Sequence, residues 1–275
     1  MLIQVSLTVQ EAKRIIAKGM VKLPVVQEAL RSGKILLKGG TTVSAVCEEM
    51  IGKSLRISGR IVPNGAKAAR TSSAGFHSVL IEHGEWRDVD DTLEEAIESL
   101  GAEDVAILGA NAIDPFGNAA MMYGTPLGGK PGRIISGLMA EIKNILIAVG
   151  LEKLIPDPLP EIIRHYGRKE IDLSMGIAVG LTPLIGTIIT EKEAIPLLGK
   201  VSCSVIGMGG IFGAEGATTM IIEGEKEEVE KVFQILSSIK GEGVSGIQES
   251  LMECDFPSER CKLHPTCIYK KSEKK

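Results

Sequence analysis

The stretch Lys34–Met50, KILLKGGTTVSAVCEEM, decides how the chain is read. Lys34–Lys38 is short, apolar in its middle and strand-like. Gly39-Gly40-Thr41-Thr42 follows, and then a segment with helical spacing that stops at Gly52. Strand, glycine turn and helix in this order build a βα unit of an α/β sheet. Gly39 and Gly40 let the backbone turn sharply and approach a ligand closely. The free N–H groups and positive dipole of the helix start suit an anion, and Thr41 and Thr42 add hydroxyls. The alternative is a plain turn with Thr as N-cap. No P-loop and no dinucleotide fingerprint is present.

The same alternation continues outward. Thr8-Val9-Gln10-Glu11 reads as a capping box, with a helix to about Lys18 ended by Gly19, and a second helix over Leu23–Ser32. Ser54–Pro63 and Ser78–Glu82 read as strands. Asp91–Leu100 has helical spacing. Asp104–Leu108 and Asn144–Val149 read as buried strands of a parallel sheet, with a helix over Ile134–Lys143 between them. The expectation is an α/β fold: a mostly parallel, Rossmann-like sheet with helices on both faces over residues 1–169. After about Pro160 strands dominate, then a helix over Glu225–Lys240 with Val229, Val232, Phe233 and Leu236 on one face. That pattern predicts a smaller α+β domain over 170–245. Residues 246–275 form a Cys-containing tail.

Composition narrows the function classes. Of 275 residues, 44% are hydrophobic, enough for a core without staples. Aromatics are 3%, which leaves no stacking platform for single-stranded nucleic acid. A net charge of -4 gives no basic footprint for nucleic acid either. No run of about 18 apolar residues suggests a membrane span, and no signal-peptide order opens the chain. Five cysteines, two of them (Cys47 and Cys203) in apolar segments, fit reduced thiols. The expected location is cytoplasmic.

A second constellation follows the Asp104–Leu108 strand, in DVAILGANAIDPFGNAAMMYGTPLGGKPGRII. Gly109, Asn111 and Asp114 stand at the carboxyl end of a strand, where α/β sheets bind ligands. Asn118 lies in the next turn. Gly124 and Thr125 open a glycine-rich loop that ends with Lys130 and Arg133, a candidate anion clamp. The alternative is a long surface loop with solvated charges. Lys153 follows the Asn144–Val149 strand at the same edge. Candidate catalytic groups are therefore Asp114 as acid/base and Lys130 or Lys153 as electrostatic clamps. Candidate ligand contacts are Gly39, Gly40, Thr41, Thr42, Gly109, Asn111, Asn118, Gly124, Thr125 and Arg133. A third constellation is Cys254, Cys261, His264 and Cys267, four ligands for Zn²⁺ or an iron–sulfur cluster. Its alternatives are incidental thiols or a Cys–Cys pair. The Gly207–Gly216 loop reads either as a lid or as a plain connection.

These segments carry a resemblance. KILLKGGTTVSAVCEEM is similar to the phosphate-loop segment of ribose-5-phosphate isomerases, DVAILGANAID to their Asp-rich segment, and NILIAVGLEKLIPDPLPEII to their later strand, Lys and Pro-Leu-Pro stretch. The wider likeness is to the superfamily of those isomerases, glucosamine-6-phosphate deaminases and coenzyme A transferases, with sugar-repressor effector domains and lactate-utilisation domains. It implies binding of a small anionic metabolite, a sugar phosphate or a nucleotide or coenzyme A-like ligand, and a homo-oligomer. It does not transfer the isomerase mechanism. Leu108 and Asn111 stand where those enzymes carry acids, and an amide cannot accept a proton as a carboxylate does. The reading from another class is a Zn or iron–sulfur regulatory protein using the tail cysteines.

Overall fold

The computed structural model describes residues 1–68, 75–251 and 259–269, with the side chains of 130, 131, 133, 259 and 260 left out. In chain order the elements are β1 (Leu2–Leu7), α1 (Val9–Met20), α2 (Pro24–Ser32), β2 (Lys34–Lys38), α3 (Thr41–Ile51), β3 (Gly59–Val62), β4 (Gly65–Ala68), β5 (Ser78–Glu82), β6 (Glu85–Asp88), α4 (Leu93–Glu98), β7 (Val105–Gly109), β8 (Ala112–Ile113), β9 (Ala119–Tyr123), α5 (Gly129–Glu141), β10 (Ile145–Ala148), α6 (Leu159–His165), β11 (Gly180–Leu184), β12 (Thr187–Ile189), α7 (Glu191–Leu198), β13 (Val201–Met208), β14 (Thr218–Gly224), α8 (Lys226–Ser238) and α9 (Gln248–Leu251).

The central sheet has six strands in the order β12-β10-β7-β2-β5-β6. β12, β10, β7 and β2 run parallel, β5 runs antiparallel to β2, and β6 runs antiparallel to β5. The sheet is therefore mixed. The antiparallel pair arises because His83-Gly84 makes a two-residue hairpin turn with both residues at positive φ. The sheet is covered on both faces, so β2, β7 and β10 bury side chains in both directions. Ile35 and Leu37 belong to one apolar cluster with α1, α3, α7, β14 and α8. Leu36 and Leu108 belong to another with α4 and α5. Each of these aliphatic side chains contributes roughly 1.5–3 kcal/mol by leaving water.

The capping box at Thr8 forms: Glu11 N–H donates to Thr8 Oγ1 at 3.4 Å and Thr8 N–H to Glu11 Oε2 at 2.8 Å. Gly19 does not stop the helix. It lies inside α1, where a Cβ would come 2.7 Å from Cβ of Ala194, so it is the point at which α1 and α7 touch. Residues 54–63 form a strand only from Gly59, and the helix after residue 128 starts earlier than its spacing suggests. Phe233 is half exposed, unlike its neighbours Val229, Val232 and Leu236.

The strands expected over 170–245 divide between sheets. β12 joins the central sheet, and β11 pairs with β9, Pro183 lying opposite Ala120. β13 and β14 form an antiparallel sheet with β1, in the order β1-β14-β13. Leu2 faces Glu223 and Leu7 faces Thr218 in that pairing. Met220 and Ile222 share one apolar cluster with Ile35 and Leu37. Among the described residues, no helix is long and apolar enough to cross a membrane.

Candidate functional site

The four parallel strands end on one edge, so the segments after them converge there. β2 delivers Gly39-Gly40, β7 delivers Gly109-Ala110, β10 delivers Val149-Gly150-Leu151, and β12 delivers Thr190-Glu191. The convergence is close: a Cβ at Gly109 would lie 3.7 Å from the Gly39 carbonyl oxygen and 4.0 Å from that of Ala148.

Gly40 is the N-cap of α3 with φ 122°, a conformation that glycine adopts at little cost, and no side chain caps the helix. Thr41 and Thr42 occupy the first turn, Thr42 being buried. The first N–H groups of α3 thus lack a capping side chain, the arrangement that suits an anion. Gly39 lies under His77. Its N–H donates to the His77 carbonyl at 2.9 Å, and a Cβ there would sit 2.5 Å from the imidazole Nε2. The ring is anchored by Nδ1, 2.8 Å from the Arg56 carbonyl oxygen. Burial, with Lys38 nearby, lowers the His77 pKa to about 4. Asp90 accepts from the amides of His77 and Ser78 and pairs with Arg56 at 2.8 Å.

Sequence reasoning missed Lys38. It ends β2, is 4% exposed, and has no hydrogen bond or ion pair among the described residues. Burial lowers its pKa to about 8, with Asp90 acting in the opposite direction. A buried cation without a partner is costly. It stands next to the glycine turn and the uncapped helix.

The neighbouring expectations separate. Asp114 is buried, and its carboxylate accepts from the N–H groups of Phe116 at 3.0 Å, Asn118 at 2.9 Å and Leu159 at 2.9 Å, and from Asn118 Nδ2 at 2.8 Å. Burial raises its pKa, but the bonds from Leu159, Asn118 and Phe116 outweigh this and leave it lowered. Four donors hold this carboxylate ionised, so Asp114 ties the 114–118 turn to the start of α6 instead of acting as an acid/base. Asn118 is spent in that knot. Asn111 Oδ1 accepts from the Met122 amide at 2.9 Å and fixes β9. Gly124 packs against Ile177, and Thr125 opens a short 3-10 turn without a side-chain bond. Lys130 and Arg133 lie in α5, and their side chains are outside the described part. Lys153 is not free: it pairs with Glu152 at 3.1 Å.

The expected metal ligands divide as well. Cys254 lies outside the described residues. Cys261, His264 and Cys267 follow one another in two turns, with His264 N–H donating to the Cys261 carbonyl at 3.1 Å and Cys267 N–H to that of His264 at 3.3 Å. Among the described residues no group of three or more His, Cys, Asp or Glu could hold a metal ion. Cys47 is buried, and burial raises its pKa to about 12.

Comparison with protein-family models, with curated proteins and with solved structures finds no match to this chain.

Proposed function

We propose that the chain binds a small anionic metabolite, a sugar phosphate or a nucleotide or coenzyme A-like ligand, at the carboxyl edge of β2 and β7. One observation carries this reading: Lys38, buried and without an ion pair among the described residues, directly precedes Gly39-Gly40 and the uncapped start of α3. An anion there would supply the missing counter-charge and take up helix N–H groups. The contact set is narrower than the sequence implies: Lys38, Gly39, Gly40, Thr41, Thr42 and Gly109. The parallel half of the sheet supports a Rossmann-like reading and the isomerase, deaminase and transferase superfamily. Cytoplasmic location and homo-oligomerisation are proposed with it.

Titration calorimetry with ribose 5-phosphate, coenzyme A and inorganic phosphate tests the seat. The expected result is saturable binding of at least one of them, lost in Lys38→Met. No heat from any, or binding untouched by Lys38→Met, would reject it.

A second reading rests on the sequence spacing alone, which puts Cys261, His264 and Cys267 within seven residues. There the tail binds Zn²⁺ or an iron–sulfur cluster and the protein is regulatory. Metal analysis and an absorbance spectrum of anaerobically purified protein test it. Metal-free, colourless protein would sink it.

A further inference from the structure

A second polar cluster lies at the same edge but under β10 and β12, and it involves none of the anion-seat residues. Lys13 of α1 is 6% exposed, and its ammonium lies 3.8 Å from Glu152 Oε1. Glu152 follows β10, and its Oε2 is buried with no hydrogen-bond partner among the described residues. Lys153 pairs with Oε1 and, with a side chain 26% exposed, marks the solvent side. Glu191, fully buried at the start of α7, accepts from Thr218 Oγ1 at 2.8 Å and from the Leu151 amide at 3.0 Å. Four separate segments bring these groups together, and the loop before β14 closes on them. At Gly216 a Cβ would meet Val9 Cγ2 at 2.9 Å and Glu152 Cβ at 3.3 Å.

Satisfied buried ion pairs have every oxygen and proton bonded. This pair is long, and one carboxylate oxygen is left over. Burial holds the Lys13 pKa down to about 8, while Glu152 and Glu191 raise it and Lys153 lowers it further. A desolvated lysine that loses its proton near neutral pH is a nucleophile for carbonyl carbon. Lys38 shares the burial but lacks the acid: Asp90 is taken by Arg56 and two amides.

We propose that Lys13 and Glu152 form a carbonyl-binding site, in which Lys13 makes an imine with a small aldehyde or 2-oxo acid. The amine nitrogen of neutral Lys13 adds to the carbonyl carbon, and the C=O electron pair moves to oxygen. Glu152, through Oε2, takes the first proton that the nitrogen loses and passes it to that oxygen, which gives the carbinolamine. It then takes the second N–H proton and passes it to the hydroxyl, which leaves as water as the C=N bond forms. The site stands or falls independently of the Gly40 anion seat.

Incubating the full chain with glyoxylate and cyanoborohydride, followed by peptide mass spectrometry, tests the proposal. The borohydride reduces any imine to a stable secondary amine. Lys13 is expected to be labelled about tenfold faster than the surface lysines, with a rate that rises as pH passes through about 8. Lys13→Arg, which keeps the charge, should lose the label with an unchanged melting temperature. Glu152→Gln should slow labelling of Lys13 about tenfold. If that variant does not fold, Glu152→Asp should slow it by a smaller factor. Labelling of Lys13 no faster than that of surface lysines, or a rate indifferent to both Glu152 variants, overturns the proposal.

Discussion

The amide of Gly39 donates to the carbonyl of His77, and the His77 imidazole occupies the volume where a side chain on residue 39 would begin. The turn after β2 and the start of β5 are therefore one interlocked feature. Its geometry sets where α3 begins.

Gly39→Ala should be destabilised by about 2 kcal/mol or more, because the ring is pinned to Arg56 and cannot swing away freely. Combining it with His77→Ala should cost less than the sum of the single changes, with a coupling of about 1 kcal/mol. Denaturant melts of the four proteins measure this. Strict additivity would show that the two residues do not share space.

Lys38→Met should stabilise the protein at neutral pH by about 1–3 kcal/mol, since it replaces a buried unpaired charge with an apolar chain of similar shape. The sign with pH follows from the lowered pKa. Below about 8 the lysine is charged in both folded and unfolded states, and the penalty is fully present. Between about 8 and the unfolded value of 10.5 the penalty fades. The gap between variant and parent should therefore shrink over that range in melts run across pH. A gap independent of pH would contradict the assignment.

Asp114→Ala should cost about 2–4 kcal/mol, because it strands the amides of Phe116, Asn118 and Leu159. Its folded pKa lies below the ordinary aspartate value of 3.8. Its contribution is therefore present above that pH and is lost as pH falls through the folded value. Amide hydrogen exchange should report the loss at Leu159, at the start of α6. Unchanged protection there would count against the knot.

His77 keeps its ring neutral down to about pH 4, whereas the unfolded imidazole charges near 6.5. Stability should therefore fall as pH drops from about 6.5 toward 4, and His77→Gln should flatten that limb of the curve. Proton NMR of the His77 ring, titrated in the same range, gives the folded pKa directly.

The parts of the fold legible in the sequence are those whose signal is local. β2, β7 and β10 are short apolar runs, and α1 announces itself through Thr8 and Glu11. β1 escapes because its partner is β14, more than two hundred residues away, and nothing in LIQVSL points there. α7 carries the same kind of box at Thr190 and Glu193, a signal that was available but sits beside Pro196 inside the helix. The Gly39–Thr42 turn was readable as a possible seat. Lys38 was not, because a lysine at a strand end ordinarily reaches water and only the tertiary cover makes it buried. The bonds that Asn111, Asp114 and Asn118 make within the fold were not readable for the opposite reason: polar residues at a strand edge suit a ligand and a tight turn equally well. Lys13, Glu152 and Glu191 come from segments that no spacing rule connects.

The pairing of Leu2–Leu7 with Thr218–Gly224 also has a consequence for the order of events in folding. Apolar strands close slowly when the loop between them is long. β1 must remain without its partner until residues 218–224 are available, whereas α1 docks against α3 and α7, which both precede that segment. The chain should therefore collapse around β2, β7 and β10 first and complete the antiparallel sheet last. Until then the apolar side chains of β1 are open to pairing with another molecule. A nascent chain stalled before residue 218 should be correspondingly prone to self-association.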